Sequence, residues 1–103
     1  MIDGYLLNPR VFNKVNDDKH QALKPLEEAA EVFGAWQELD SMRPTTFKQD
    51  WVDMRNCLID ECMDTVQAVA NMLAAVGATQ GEVDAAIRRM DERNKDRGRL
   101  SGR

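Results

Sequence analysis

The sequence predicts an all-α fold, a small helical hairpin or bundle with three main helices. Two observations lead to this fold class. Ala, Leu, Val and Met are common while aromatic residues make up only 6% of the chain, a mix that favours helices over strands. Apolar residues also recur every three or four positions between segments that are typical of helix ends. With 103 residues, the chain fits one domain, 1–103.

The first helix is predicted from about Pro25 to Asp40, because proline is tolerated at the first position of a helix. Residues 1–22 have no clear period and stay poorly defined, apart from a short helix that Asp17 or Asp18 would cap. On a helical wheel the apolar residues share one arc, which we expect to hold this helix in place. The arc consists of Leu26, Ala29, Ala30, Phe33 and Trp36.

The second helix is predicted from about Phe47 to Val76, with Thr45 or Thr46 as its cap and Gly77 as its left-handed end. Its broad apolar surface predicts a helix buried on most sides. Its two cysteines sit on different faces of the helix, and we expect reduced core thiols. They are Cys57 and Cys62.

The third helix is predicted to begin at a capping box, in which Thr79 is followed three residues later by Glu82. Gly98 is its expected end, and residues 98–103 form a basic tail. Three short helices with broad apolar faces cannot bury all of this surface in one chain. We therefore expect a homodimer or homotetramer that completes the core.

Acidic side chains recur at helical spacing in the first two helices. Glu28 and Glu31 lie one turn apart in the first helix, as Glu61 and Asp64 do in the second. Across an antiparallel hairpin these four carboxylates would converge, and oxygen ligands of this kind suit Mg²⁺, with Mn²⁺ as a substitute. A solvated acidic face is the alternative explanation of each stripe taken alone.

The two motifs "EEAAE" (Glu27, Glu28, Glu31) and "ECMD" (Glu61, Asp64) together resemble the signature of the MazG-like, all-α nucleotide pyrophosphohydrolase superfamily. The resemblance implies Mg²⁺-dependent hydrolysis of a nucleoside triphosphate to its monophosphate and pyrophosphate, with a role in clearing noncanonical or excess nucleotides. It also implies that Glu28, Glu31, Glu61 and Asp64 bind the metal and that Glu27 and Glu28 are catalytic. Glu27 would orient or deprotonate the attacking water or bind a further ion.

The segment "RNKDRG" is similar to the phosphate-binding segment of that superfamily. The resemblance implies that Asn94, Lys95 and Arg97 bind substrate phosphates, together with Lys24 in the first helix. Met90 departs from the pattern, because many relatives have a lysine four residues before the asparagine.

Two further residues are candidates for substrate contact. Trp51 precedes the acidic part of the second helix and is a candidate for stacking on a base. Asn71 lies two turns after Asp64 on the same stripe, where it would contact base or sugar or serve as a hydrogen-bonded core amide. Trp36 lies on the apolar arc and is expected to pack.

Other functions are compatible with the same sequence. Within enzymes the alternative is a phosphoribosyl-ATP pyrophosphatase-like activity; outside them it is a non-catalytic helical interaction protein or a nucleic-acid-associated protein. Residues 88–103 carry seven basic side chains, but three interspersed acids and a net charge of -4 argue against nucleic acid. No signal-like start and no long apolar run is present, which predicts a cytoplasmic protein without membrane contact.

Overall fold

A computed structural model describes residues 3–43 and 47–101 of the chain. It contains three α-helices, α1 (Lys19–Ser41), α2 (Lys48–Ala75) and α3 (Gln80–Asp96), and no strand in these two ranges. The predicted all-α class is therefore confirmed. None of the helices combines the length and the apolar character that crossing a membrane would require, as far as the described residues go.

Helix α1 begins six residues earlier than predicted. Asp18 is its N-cap, and its Oδ1 accepts a hydrogen bond of 2.8 Å from the backbone N–H of Gln21. Pro25 therefore lies inside the helix rather than at its first position, and the separate short helix before it does not exist. The strong cap accounts for the earlier start, since it satisfies a free N–H group that the first turn would otherwise leave unpaired.

Helix α2 is continuous through Trp51 and ends close to its predicted position. Its N-cap is Phe47, which forms no side-chain capping bond, and the two predicted cap residues, Thr45 and Thr46, lie outside the described residues. Gly77 follows the helix with a φ of 74°. This left-handed conformation favours glycine, as predicted.

Helix α3 is defined mainly by local signals. The Thr79 side chain accepts from the N–H of Glu82 at 3.1 Å, and the Glu82 carboxylate accepts from the N–H of Thr79 at 3.0 Å. The predicted capping box is therefore present in full. Gly98 has a φ of 72° and ends the helix as expected.

Two of the three helices form a packed hairpin, and the third lies apart from it. Helices α1 and α2 pack against each other, whereas no Cα atom of α3 comes within 8 Å of α1 or α2. Among the described residues only Leu39, Ala68 and Asn71 are buried, at 6%, 6% and 2% exposure. The core of a single chain is therefore small.

The segment that precedes α1 runs beside α2. The side-chain amide of Gln67 donates to the carbonyl of Arg10 at 2.7 Å, and Asn71 Oδ1 accepts from the N–H of Phe12 at 3.1 Å. These two bonds hold the otherwise irregular segment against the helix, although the sequence showed no period there.

The apolar arc of α1 faces outward, contrary to expectation. Leu26, Phe33 and Trp36 are 68%, 60% and 42% exposed, and the last two rings stack on each other with their centroids 6.1 Å apart. The arc does not hold α1 on α2, because the covered side of α1 is a different one, which carries Glu28, Val32, Ala35 and Leu39.

The second prediction of burial was also too strong. Along α2 a row of apolar side chains stays substantially exposed, and both cysteines are free and exposed rather than in the core. The hairpin covers only one side of α2, which explains the difference. The exposed row comprises Ile59, Met63, Val69, Leu73 and Val76.

Candidate metal centre

Three carboxylates from the two acidic motifs meet between α1 and α2. Oxygen atoms of Glu28, Glu31 and Glu61 all lie within 4.8 Å of one another. Glu28 and Glu61 are half-buried, whereas Glu31 is exposed. We call these three residues the carboxylate cluster.

The helices position the cluster through their spacing and direction. Glu28 and Glu31 are three residues apart, so they project from neighbouring turns of α1. Because α2 returns in the opposite direction after a short connection, Glu61 lies near Glu31, and Asp64, one turn later, lies near Glu28. The predicted convergence is therefore present for three of the four proposed ligands, with the fourth beside them.

Electrostatics disfavours three charged groups at this point. Desolvation raises the pKa of Glu28 above its ordinary value of 4.5, and the neighbouring Glu31 and Asp64 raise it further, while Lys24 opposes them. Desolvation also raises the pKa of Glu61, and Glu31 adds to this through a hydrogen bond and through its charge. That bond exists only when one of the two carboxyl groups is protonated, since carboxylates only accept. Protons or a cation would relieve the repulsion.

One atom of the cluster has no hydrogen-bond partner among residues 3–43 and 47–101. Glu61 Oε2 is buried and accepts no hydrogen bond from any described residue. A buried polar atom without a partner is unfavourable and rare in native structures. Three oxygen donors and an orphaned carboxylate oxygen fit a hard cation such as Mg²⁺.

The residues around the cluster differ in their surroundings. Asp64 and Lys24 line a cavity of about 460 Å³ that Glu28 also lines. Glu27, predicted to serve catalysis, is exposed and lies outside the cluster, with its Oε2 at 3.3 Å from Lys24 Nζ. Lys24 therefore forms an ion pair with Glu27, and its charge also acts on Glu28. The proline that follows Lys24 does not turn this side chain away from the two glutamates.

Several predicted substrate contacts lie away from this cavity. Trp51 is ten residues before Glu61 on α2, which corresponds to about 15 Å along the helix, and it does not line the cavity. Asn94, Lys95 and Arg97 lie at the end of α3, which is separate from the hairpin. Within one chain, these four residues are not assembled with the carboxylate cluster.

Asn71 does line the cavity, together with residues that sequence reasoning missed. Phe12, His20, Gln21 and Gln67 lie there too. Nothing in the irregular sequence of residues 1–18 indicated that Phe12 lies against α2. Gln67 lies four residues before Asn71 on the same helical stripe, and this spacing was the one available signal.

No protein-family model, no curated protein and no solved structure matches this chain. The resemblance to the MazG-like superfamily stays a prediction from the two motifs.

Proposed function

We propose that this protein is a Mg²⁺-dependent nucleotide pyrophosphohydrolase, which converts a (d)NTP and water to the (d)NMP and pyrophosphate. The observation that carries the proposal is the meeting of Glu28 and Glu31 from "EEAAE" with Glu61 from "ECMD", together with a buried Glu61 Oε2 that has no partner among the described residues. Water would attack the α-phosphorus, the bond from that phosphorus to the bridging oxygen would break, and pyrophosphate would leave.

Each part of the site has a role in this proposal. Glu28, Glu31 and Glu61 would hold Mg²⁺, with Asp64 as a fourth ligand beside them. When bound, the ion would neutralise part of the phosphate charge and make the water bound to it more acidic. Lys24 Nζ, at the edge of the same cavity, would contact phosphate. Glu27 would orient water only after leaving its ion pair with Lys24.

Turnover of a substrate panel tests the proposal. Each (d)NTP and phosphoribosyl-ATP is incubated with the protein and Mg²⁺, and monophosphate and pyrophosphate are quantified. Glu28→Gln and Asp64→Asn should each lower kcat/KM by more than about 100-fold, because even outer partners of metal ligands contribute about 10- to 100-fold. Glu38→Gln and Asp53→Asn, exposed residues of α1 and α2, are the matched controls and should retain activity.

Two results would contradict the proposal. One is the absence of turnover across the panel, and the other is turnover that Glu28→Gln and Asp64→Asn leave unchanged.

Mg²⁺ should also raise the melting temperature of the wild type and not that of Glu28→Gln, because an ion that binds only the folded state stabilises it.

The proposed enzyme is a homodimer or homotetramer. Support comes from the exposed face of α1, which carries Leu26, Phe33 and Trp36, and from the separation of α3 from its own hairpin. Residues 19–75 contain ten acidic and five basic side chains, whereas residues 88–103 contain three acidic and seven basic ones. The basic end of α3 in one copy would therefore lie against the acidic hairpin of the other copy. This end contains Asn94, Lys95 and Arg97.

Sedimentation velocity tests this assembly. Phe33→Glu should shift the wild-type oligomer toward monomer, since it places a charge in the centre of an apolar face. Leu6→Glu adds the same charge at an exposed apolar residue before α1 and should leave the oligomer intact. A wild type that sediments as a monomer at all concentrations would refute the assembly.

A further inference from the structure

The cavity beside the carboxylate cluster forms a groove with two chemically different ends. It has a volume of about 460 Å³ and lies between the segment before α1, the first turns of α1, and α2. Glu28 and Asp64 line one end, and Phe12, Gln67 and Asn71 line the other. We call it the Asn71 groove.

The register of the hairpin sets the length of the groove. Along α1, Gln21 precedes Glu28 by two turns, and along α2, Asn71 follows Asp64 by two turns. Seven residues of helix correspond to about 10 Å. A nucleotide with its phosphates at the carboxylate cluster would thus have room for its sugar in the groove and its base near Asn71.

Hydrogen bonding determines how the Asn71 amide is oriented. The backbone N–H of Phe12 donates to Oδ1 at 3.1 Å, and Gln67 Nε2 donates to the same oxygen at 3.1 Å. A backbone N–H can only donate, so the atom opposite it must be the oxygen, and the flipped amide is excluded. Gln67 is oriented in the same way, because its Nε2 also donates to the Arg10 carbonyl at 2.7 Å.

These bonds leave one group of Asn71 free. Oδ1 already accepts two hydrogen bonds, which is the capacity of its two lone pairs, whereas no described residue accepts one from Nδ2. Asn71 is only 2% exposed and lines the groove. Nδ2 is not among the fully buried atoms that lack a partner, so this donor stays accessible from the groove and is available to an acceptor on a ligand.

An aromatic ring lies at the same end of the groove. The side chain of Phe12 is 60% exposed and lines the groove, while its backbone is held by Asn71. Base-to-aromatic stacking accepts any base, since every base has a π-face. Phe12 would therefore contribute affinity, and Asn71 the selection among bases.

We propose that the Asn71 groove binds the base of the nucleotide and that Nδ2 of Asn71 selects bases with a keto oxygen at the pairing edge. Uracil, thymine and guanine offer such an acceptor, whereas cytosine and adenine present an amino group at the equivalent position. The proposal rests on the proposed function for the phosphate end, because the carboxylate cluster orients the nucleotide. The N-terminal segment becomes part of the site through Phe12.

Asn71→Asp is the variant that tests the selection. It keeps an oxygen for the N–H of Phe12 and replaces the Nδ2 donor with an acceptor of the same shape. The ratio of kcat/KM for dUTP to that for dCTP should favour dUTP in the wild type and shift by about 10-fold toward dCTP in the variant, the size expected for one hydrogen bond. Asn56→Asp, an exposed residue of α2, is the matched control and should leave the ratio unchanged.

A second measurement keeps the test independent of turnover and of folding. Binding of dUMP and dCMP is measured by calorimetry with Mg²⁺ for the wild type, Asn71→Asp and Phe12→Leu, and the circular dichroism of each variant is compared with that of the wild type. Phe12→Leu should weaken the binding of both nucleotides by about 10-fold through lost stacking and preserve the ratio of the two affinities.

The outcomes separate the two proposals. Equal affinities of the wild type for dUMP and dCMP, or an unchanged ratio in a folded Asn71→Asp protein, would overturn the role of the groove. If these results come with turnover that Glu28→Gln abolishes, the proposed function stands without the groove. Selective binding of dUMP without any turnover would instead support the groove and refute the hydrolase.

Discussion

Helices α1 and α2 pack against each other, whereas α3 makes no comparable contact with either. The local sequence signals for helix formation are, by contrast, stronger in α3 than in α1 and α2. Helix α3 has a complete capping box and a left-handed glycine after its end, while α1 contains a proline and α2 begins without a side-chain cap. The hairpin therefore depends on tertiary packing, and α3 on interactions within its own sequence.

The two regions also use their polar residues differently. In the hairpin, carboxylates occupy the contact between helices, where desolvation and mutual repulsion raise the pKa of Glu28 and of Glu61. In α3, the carboxylate of Glu82 caps the helix, and the hydrogen bonds from Thr79 lower its pKa. A carboxylate thus opposes folding in one region and supports it in the other.

The largest expected effect is a loss of stability when a buried side chain of the hairpin is truncated, compared with an exposed side chain after α3. Leu39→Ala removes one of the few buried side chains of the hairpin and should lower the free energy of unfolding by about 2 kcal/mol, the low end for such changes because the small core can relax. Leu100→Ala, after α3 and 46% exposed, should change it by less than about 0.5 kcal/mol. Urea denaturation monitored by circular dichroism measures both, and equal losses would mean that the hairpin has no core of its own.

A smaller effect should be confined to α3. Thr79→Ala removes the side-chain acceptor of the capping box and should cost about 1 kcal/mol. Amide hydrogen exchange in α3 should accelerate about 5-fold, with α1 and α2 unchanged because no Cα atom of α3 comes within 8 Å of either helix. Thr65→Ala is the matched control, since Thr65 only donates to the Glu61 carbonyl within α2. Acceleration in all three helices would show that α3 and the hairpin unfold together.

The smallest expected effect is a pH dependence of opposite sign in the two regions. Glu28 and Glu61 have a higher pKa in the folded than in the unfolded protein, so their contribution to stability is full below the unfolded pKa and is lost as pH rises through the folded pKa. Glu82 has a lower pKa when folded, so its contribution is present above the unfolded pKa and is lost as pH falls through the folded one.

Hydrogen exchange resolved by helix, with divalent ions chelated, measures this difference. After correction for intrinsic exchange, α1 and α2 should lose protection as pH rises above the ordinary value of 4.5, whereas α3 should gain protection as pH rises toward 4.5 and stay constant above it. A Glu61→Gln variant should show a weaker dependence in the hairpin and an unchanged one in α3. Parallel changes in all helices of the wild type would contradict the opposite signs.

Much of the helical structure was predictable from short-range signals. Thr79 with Glu82, Gly77 and Gly98 are each recognised from neighbours within a few residues, because caps are local hydrogen-bonded units. Pro25 misled the prediction for α1, since a proline inside a helix loses one hydrogen bond but is tolerated when the flanking turns are held by other contacts. The Asp18 cap and the packing on α2 hold those turns.

The candidate site was predictable in part. The spacing of Glu28 with Glu31, and of Glu61 with Asp64, indicated that carboxylates from two helices would converge. The contribution of Phe12 was not predictable, because it depends on a bond to Asn71 that spans 59 residues of sequence. Trp51 seemed the better aromatic candidate only because it is closer to the acidic motif along the chain.

By itself, the sequence determined the three helices, the capping box of α3, the glycines that follow α2 and α3, and the two acidic stripes, since all of these depend on residues within one or two turns. Only the tertiary structure decided which side of α1 faces α2. A helical wheel relates residues within one helix, but the rotation of that helix against its neighbour depends on contacts that the wheel does not contain. Glu28 is therefore half-buried on the covered side of α1, the apolar arc is exposed, and Asn71 is buried beneath the segment that the sequence left undefined.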